Sequence, residues 1–316
     1  MTELISLRKT FGETLEKLGG KQKNLIVLDS DLGNSLYSLN FAKSFPERHF
    51  TIGLAENSML GMAAGMAVRK KIPFVCGETS ALLSKGIDSL RNAICYPNLN
   101  IKIIGSHSEV TNSAEGTPRE SVDDIAILRT LPNLKILVPA DSVELKSMLE
   151  FLLTDYGPTF LRIPQIALPN IFEPSYQFKL GEPVTVREGS QVTIFSCGAA
   201  LHEVLKTAAE LENRAISTQV ISLSSLTNLN TEKIIQLCTN AAMIVTVEQH
   251  VEHGGIGSMI TDILNAHTPR ATAPSQIIKI ALSHAPESTS YSAALNQSGL
   301  SSRHIYEIIR ENWLKH

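Results

Sequence analysis

One carboxylate stands out by its surroundings. Glu56 lies in Ile52-Gly53-Leu54-Ala55-Glu56-Asn57-Ser58-Met59-Leu60-Gly61-Met62-Ala63-Ala64-Gly65-Met66-Ala67, where nearly every other residue is apolar or small. An acid at a helix start has a plain explanation in capping and the helix dipole. A carboxylate leading into so apolar a segment is desolvated, and a desolvated carboxylate needs a partner. Two further polar groupings follow short apolar runs. Leu25-Ile26-Val27-Leu28 leads into Asp29-Ser30-Asp31-Leu32-Gly33-Asn34-Ser35, and Ile101 to Gly105 leads into Ser106-His107-Ser108. In parallel α/β sheets, ligands bind at such carboxyl ends of strands.

The elements that position these residues alternate. The pattern predicts a helix over residues 3 to 18 and strands at 25–28, 73–76, 101–105, 135–138 and 159–163. Helices are expected over about 81–94, 122–131 and from the Asp141 cap to about 153, with a polar loop at 109–121. Pro164, Pro169, Pro174 and Pro183 then punctuate a stretch without a sustained period, read as an ordered linker. Alternation resumes with strands at 192–195, 217–221, 243–247 and 277–280. Helices are expected at 200–211, 231–238, 256–264 and 303–313. The expectation is an α/β protein of two doubly wound domains with parallel sheets: residues 1–168, a linker over 169–186, and a smaller unit over 187–316.

Composition narrows the class. The 316 residues are 43% hydrophobic and 19% charged, with a net charge of -3. That is a globular chain with no electrostatic footprint for nucleic acid and no apolar run long enough to span a bilayer. The scattered Cys76, Cys95, Cys197 and Cys238 have no metal spacing, and the N-terminus lacks a signal peptide's pattern. A cytoplasmic protein with reduced thiols is expected. No Gly-x-Gly-x-x-Gly turn supports a dinucleotide site.

Several stretches, in order, resemble the transketolase family of thiamine diphosphate enzymes. They are residues 11–15, Leu28 to Ser35, Ile52 to Met59, Tyr96-Pro97-Asn98-Leu99-Asn100, Gly105-Ser106-His107, Asp124-Ile125-Ala126, Val138-Pro139-Ala140-Asp141, and Glu248-Gln249-His250 with Gly254 to Ser258. The resemblance implies a pyrimidine-binding domain followed by a transketolase C-terminal domain. The family's preceding domain, with its Gly-Asp-Gly motif and downstream Asn, has no counterpart here. A split enzyme is therefore implied, with an N-terminal subunit that binds the diphosphate through Mg²⁺ (or Ca²⁺). Two copies of each chain would form a heterotetramer through paired pyrimidine domains. The helix from Ser58 to Val68 is the candidate seam. This chain itself is expected to hold no metal.

Residue by residue, the resemblance makes Glu56 the catalytic group that bonds the cofactor's pyrimidine nitrogen and so activates it. Asp31 matches an acid near the cofactor, although Asp29, Asp31 and Asn34 equally suit loop backbone groups. Ser35, His107 and Arg162 match positions that hold a substrate phosphate. Glu78 and Ala81 stand where the family has two aromatics lining the pyrimidine pocket. Glu115 and Arg119 stand where an Asp and a His read substrate hydroxyls, and arginine stays protonated, so it cannot act as a base. The implied activity is transfer of a two-carbon ketol or related acyl unit, with a non-standard donor or acceptor. The β subunit of a 2-oxo acid dehydrogenase first component and a degenerate non-catalytic partner remain open alternatives.

Overall fold

The computed structural model describes residues 3–116, 119–239, 241–267 and 277–315. The first strand, β1 (Ile5–Ser6), leads into α1 (Leu7–Lys21). The expected helix start at residue 3 is corrected, because Ser6 caps α1 by accepting from the Lys9 amide and β1 pairs with β8 (Ala167–Leu168). Between them run β2 (Leu25–Asp29), α2 (Leu39–Ser44), β3 (His49–Thr51), α3 (Glu56–Val68), β4 (Ile72–Glu78) and α4 (Thr79–Ser89). Then come β5 (Lys102–Ser108), α5 (Asp124–Leu128), β6 (Lys135–Leu137), α6 (Ser142–Thr154) and β7 (Thr159–Pro164).

Six strands form a parallel sheet in the order β3-β2-β4-β5-β7-β6. The near-continuous apolar runs of β2, β4 and β5 are buried, as strands covered on both faces must be. The order reverses direction between β2 and β4. In open α/β sheets ligands bind outside the carboxyl ends of the strands at such a switch point. The helix expected over 122–131 is shorter, at Asp124–Leu128. Its expected start is used otherwise: the Val122 carbonyl accepts from the Val251 amide, and the Ser121 carbonyl accepts from Arg162.

The proline-punctuated stretch is ordered. Asp141 accepts from the Ile171 and Phe172 amides, and the Phe178 amide bonds Ser147. The second sheet starts at β9 (Val184–Arg187), inside the expected linker, as an antiparallel edge. It continues through β10 (Val192–Ser196), α7 (Ala200–Glu212), β11 (Thr218–Ser222), α8 (Thr231–Cys238), β12 (Met243–Val251), α9 (Ile256–His267) and β13 (Ile277–Leu282). The helices α10 (Tyr291–Gln297) and α11 (Ser302–Trp313) close the chain. The sheet order is β13-β12-β10-β11-β9. No helix among the described residues is long and apolar enough to cross a membrane. All four cysteines are free and buried.

Candidate active site

Glu56 opens α3, and the residue before it, Ala55, makes no side-chain cap. The carboxylate is 1% exposed, and its Oε2 has no hydrogen-bond partner. The nearest cation is the Lys85 ammonium, 3.5 Å from Oε2, on the facing helix α4. That close approach depends on Gly86, where a Cβ would meet Leu60 Cδ1 at 2.5 Å. A buried carboxylate oxygen with one half-exposed cation for company is costly in a finished core. It suits a site that awaits a hydrogen-bonding ligand.

Glu78 and Ala81 stand at the end of β4 and the start of α4, both half-buried. Burial pushes the Glu78 carboxyl above the usual range, opposed by Arg119 and reinforced by Glu115 and Glu56. Arg119 pairs with Glu115, and both are exposed. Glu56, Lys85, Glu78, Glu115 and Arg119 therefore form one electrostatic neighbourhood at the carboxyl end of the first sheet.

Beside it lies a second grouping. Arg8 Nη1 donates to Ser35 Oγ at 2.6 Å, and Ser35 Oγ lies 3.3 Å from His107 Nε2. The other ring nitrogen of His107 lies 2.8 Å from Ser106 Oγ. Burial, aided by the Arg8 charge, pushes His107 down to about 4, so its ring is neutral at pH 7. Arg8 Nε is buried without a hydrogen-bond partner. A guanidinium with a spare donor, a hydroxyl and an imidazole suit an oxyanion. Arg8 is the site residue that sequence reasoning missed. It stands next to Lys9 on an amphipathic helix, where nothing in the pattern separates the two cations. Asp31 is exposed with φ +68, whereas Asp29 takes the loop role: it accepts from the Leu32 amide at 2.5 Å and Ser38 at 2.6 Å.

The Arg162 guanidinium is held in a buried ion cluster. It is 1% exposed and forks onto Asp124, with Nε to Oδ2 at 2.7 Å and Nη2 to Oδ1 at 2.8 Å. Nη1 meets Glu109 Oε1 at 3.3 Å, and Nη2 also donates to the Ser121 and Gln249 carbonyls. Nε and Nη2 are committed to the fold, and Nη1 gives one of its two N–H donors to Glu109.

The similarity to known proteins agrees with this geometry. The family model for the transketolase pyrimidine-binding domain matches residues 3–170, and that for the transketolase C-terminal domain matches residues 181–305. The chain belongs to the transketolase family. A protein of Methanocaldococcus jannaschii named putative transketolase C-terminal section is 34% identical, over 82% of this chain and 81% of its own. One of the subunits of the apulose-4-phosphate transketolase of Phocaeicola vulgatus is 28% identical, over 83% of this chain and 84% of its own. A solved structure of a split gene transketolase, described as an inactive beta4 tetramer, superposes with a TM-score of 0.87 at 30% identity, covering 98% of both chains.

Proposed function

We propose that this chain is the C-terminal subunit of a split, thiamine-diphosphate-dependent transketolase-like enzyme. It would move a two-carbon ketol unit from a ketose-like donor to an aldehyde acceptor. The observation that carries the reading is Glu56: buried, at the sheet's switch point, with an oxygen that no protein group hydrogen-bonds. The relatives named as a transketolase C-terminal section and as a transketolase subunit match over most of their own lengths, which supports a split arrangement. A separate N-terminal chain would supply the diphosphate and Mg²⁺ site. The exposed face of α3, with Gly61, Met62, Gly65 and Val68, is offered as the seam between two copies. Four free, buried cysteines accord with the cytoplasm.

Thiamine diphosphate, when bound, supplies the electron sink for breaking the bond beside a ketose carbonyl. The residues here fit its pyrimidine at Glu56, which would share a proton with the ring nitrogen while burial excludes water. Glu78 and Ala81 offer no aromatic stacking. Arg8, Ser35 and the neutral His107 would hold a phosphate or similar anion. Arg119, tied to Glu115, presents a cation rather than a base.

Calorimetry with thiamine diphosphate and Mg²⁺ tests this, first on the chain alone and then with its diphosphate-binding partner. Binding that requires the partner is expected, and Glu56→Gln should cut ketol transfer by about 10²–10⁴-fold. No binding in either case sinks the reading.

A further inference from the structure

The segment that carries Glu115 leaves β5 through two residues in the left-handed region, His107 at φ +58 and Glu109 at φ +66. Residues with a Cβ rarely adopt that conformation, so something must hold them there. For Glu109 the holder comes from two sides. Its Oε1 meets Arg162 Nη1 at 3.3 Å and accepts from the Ala199 amide at 3.4 Å. Ala199 belongs to the C-terminal domain, just before α7. The preceding Gly198 is shaped for the contact: a Cβ there would lie 2.3 Å from Glu109 Oε1.

The neck is pinned as well. The Glu109 amide donates to the Ser121 carbonyl at 3.3 Å, and Arg162 Nη2 donates to the same carbonyl. Arg162 reaches across to the Gln249 carbonyl of β12, and the Val122 carbonyl receives the Val251 amide. Beyond the neck, the 3₁₀ turn Val110–Glu115 packs against α10, and Ser288 Oγ donates to the Ala114 carbonyl at 3.0 Å. The C-terminal domain thus touches this turn at its base and near its far end.

We propose that the C-terminal domain sets the position of the turn Val110–Glu115 through the Glu109–Arg162 clamp, which makes Glu109 and Arg162 positioning residues for the candidate active site. The turn ends at Glu115, whose partner Arg119 is an electrostatic neighbour of Glu78 and His107. Releasing Glu109 lets its backbone return to an extended φ, which swings the turn away from Glu78. The proposal rests on the proposed function only in calling that neighbourhood an active site.

Hydrogen exchange on the full chain tests the clamp without any activity. In Glu109→Ala, amides of residues 110–116 should exchange about tenfold faster, while β10 and β12 keep their protection. Glu109→Gln should retain wild-type protection, because an amide oxygen can still accept from Arg162 and Ala199. A second readout is the Glu78 carboxyl, followed by carbon-13 NMR and assigned with Glu78→Gln. The charged groups around it are Arg119, Glu115, Glu56 and Lys85. Withdrawal of Arg119 should raise its titration midpoint in Glu109→Ala and leave it unmoved in Glu109→Gln. Unchanged exchange in Glu109→Ala, equal loosening in both variants, or loosening that spreads through β10 and β12 overturns the clamp. Failure of the complex to bind thiamine diphosphate overturns the function alone, since the exchange result stands apart from it.

Discussion

Arg162 and Glu56 are equally buried, at 1% exposure each, and they are solvated in opposite ways. Arg162 has two carboxylates and two carbonyls around its guanidinium. Glu56 has one flexible ammonium at 3.5 Å and an oxygen without a hydrogen bond. Both sit at carboxyl ends of the same sheet, so location does not separate them. The count of partners does. The many bonds of Arg162 tie it to the architecture, whereas the unmet oxygen of Glu56 at the head of α3 suits a ligand.

The strongest way to break that contrast is Arg162→Met. It strands Asp124 and Glu109 in the interior, and urea unfolding should show a loss of about 3–5 kcal/mol. A loss under about 1 kcal/mol would mean that the cluster is not structural. A third buried ionisable group sharpens the point. Glu144 accepts from Ser224, Tyr176 and the Ala140 amide but has no cation among those bonds. Burial pushes it up to about 7 from an ordinary 4.5. The folded state therefore holds this proton more tightly than the unfolded chain does. Its contribution is fully present below about pH 4.5 and is lost as pH rises through about 7, with an upper limit of about 3 kcal/mol. Glu144→Gln should flatten that fall when urea midpoints at pH 5 and pH 8 are compared. The smallest effect belongs to Glu56→Gln, whose stability should stay within about 1 kcal/mol of wild type while the proposed ketol transfer falls. A large loss of stability there would return Glu56 to the architecture.

Much of the first domain was legible because its strands are unbroken apolar runs ended by polar residues, as at Leu25-Ile26-Val27-Leu28 before Asp29. Glu56 was legible for the same reason, as a charge in apolar company. Arg162 was not. From sequence it is a cation near a strand end, and its partners lie 38 and 53 positions away. Arg8 was missed for the same reason: its partner Ser35 is 27 positions on. Pattern shows which residues are buried, while pairing across the fold decides what a buried charge is for. The short strand β1 had no visible signal, since two residues carry no period.

The hydrophobic cluster on the α3 side of the first sheet contains Leu28, Leu60 and Ile103, yet it runs on without a break into Phe195, Leu223, Ile256 and Met259 of the second domain. Sequence families divide this chain between residues 170 and 181. Cooperativity would not respect that line. Heat or denaturant has no seam at which to melt one half first, because parting them exposes the interior of both. Cut at the family boundary, either fragment would carry an open wound of apolar surface and would be a candidate for aggregation rather than a smaller working module.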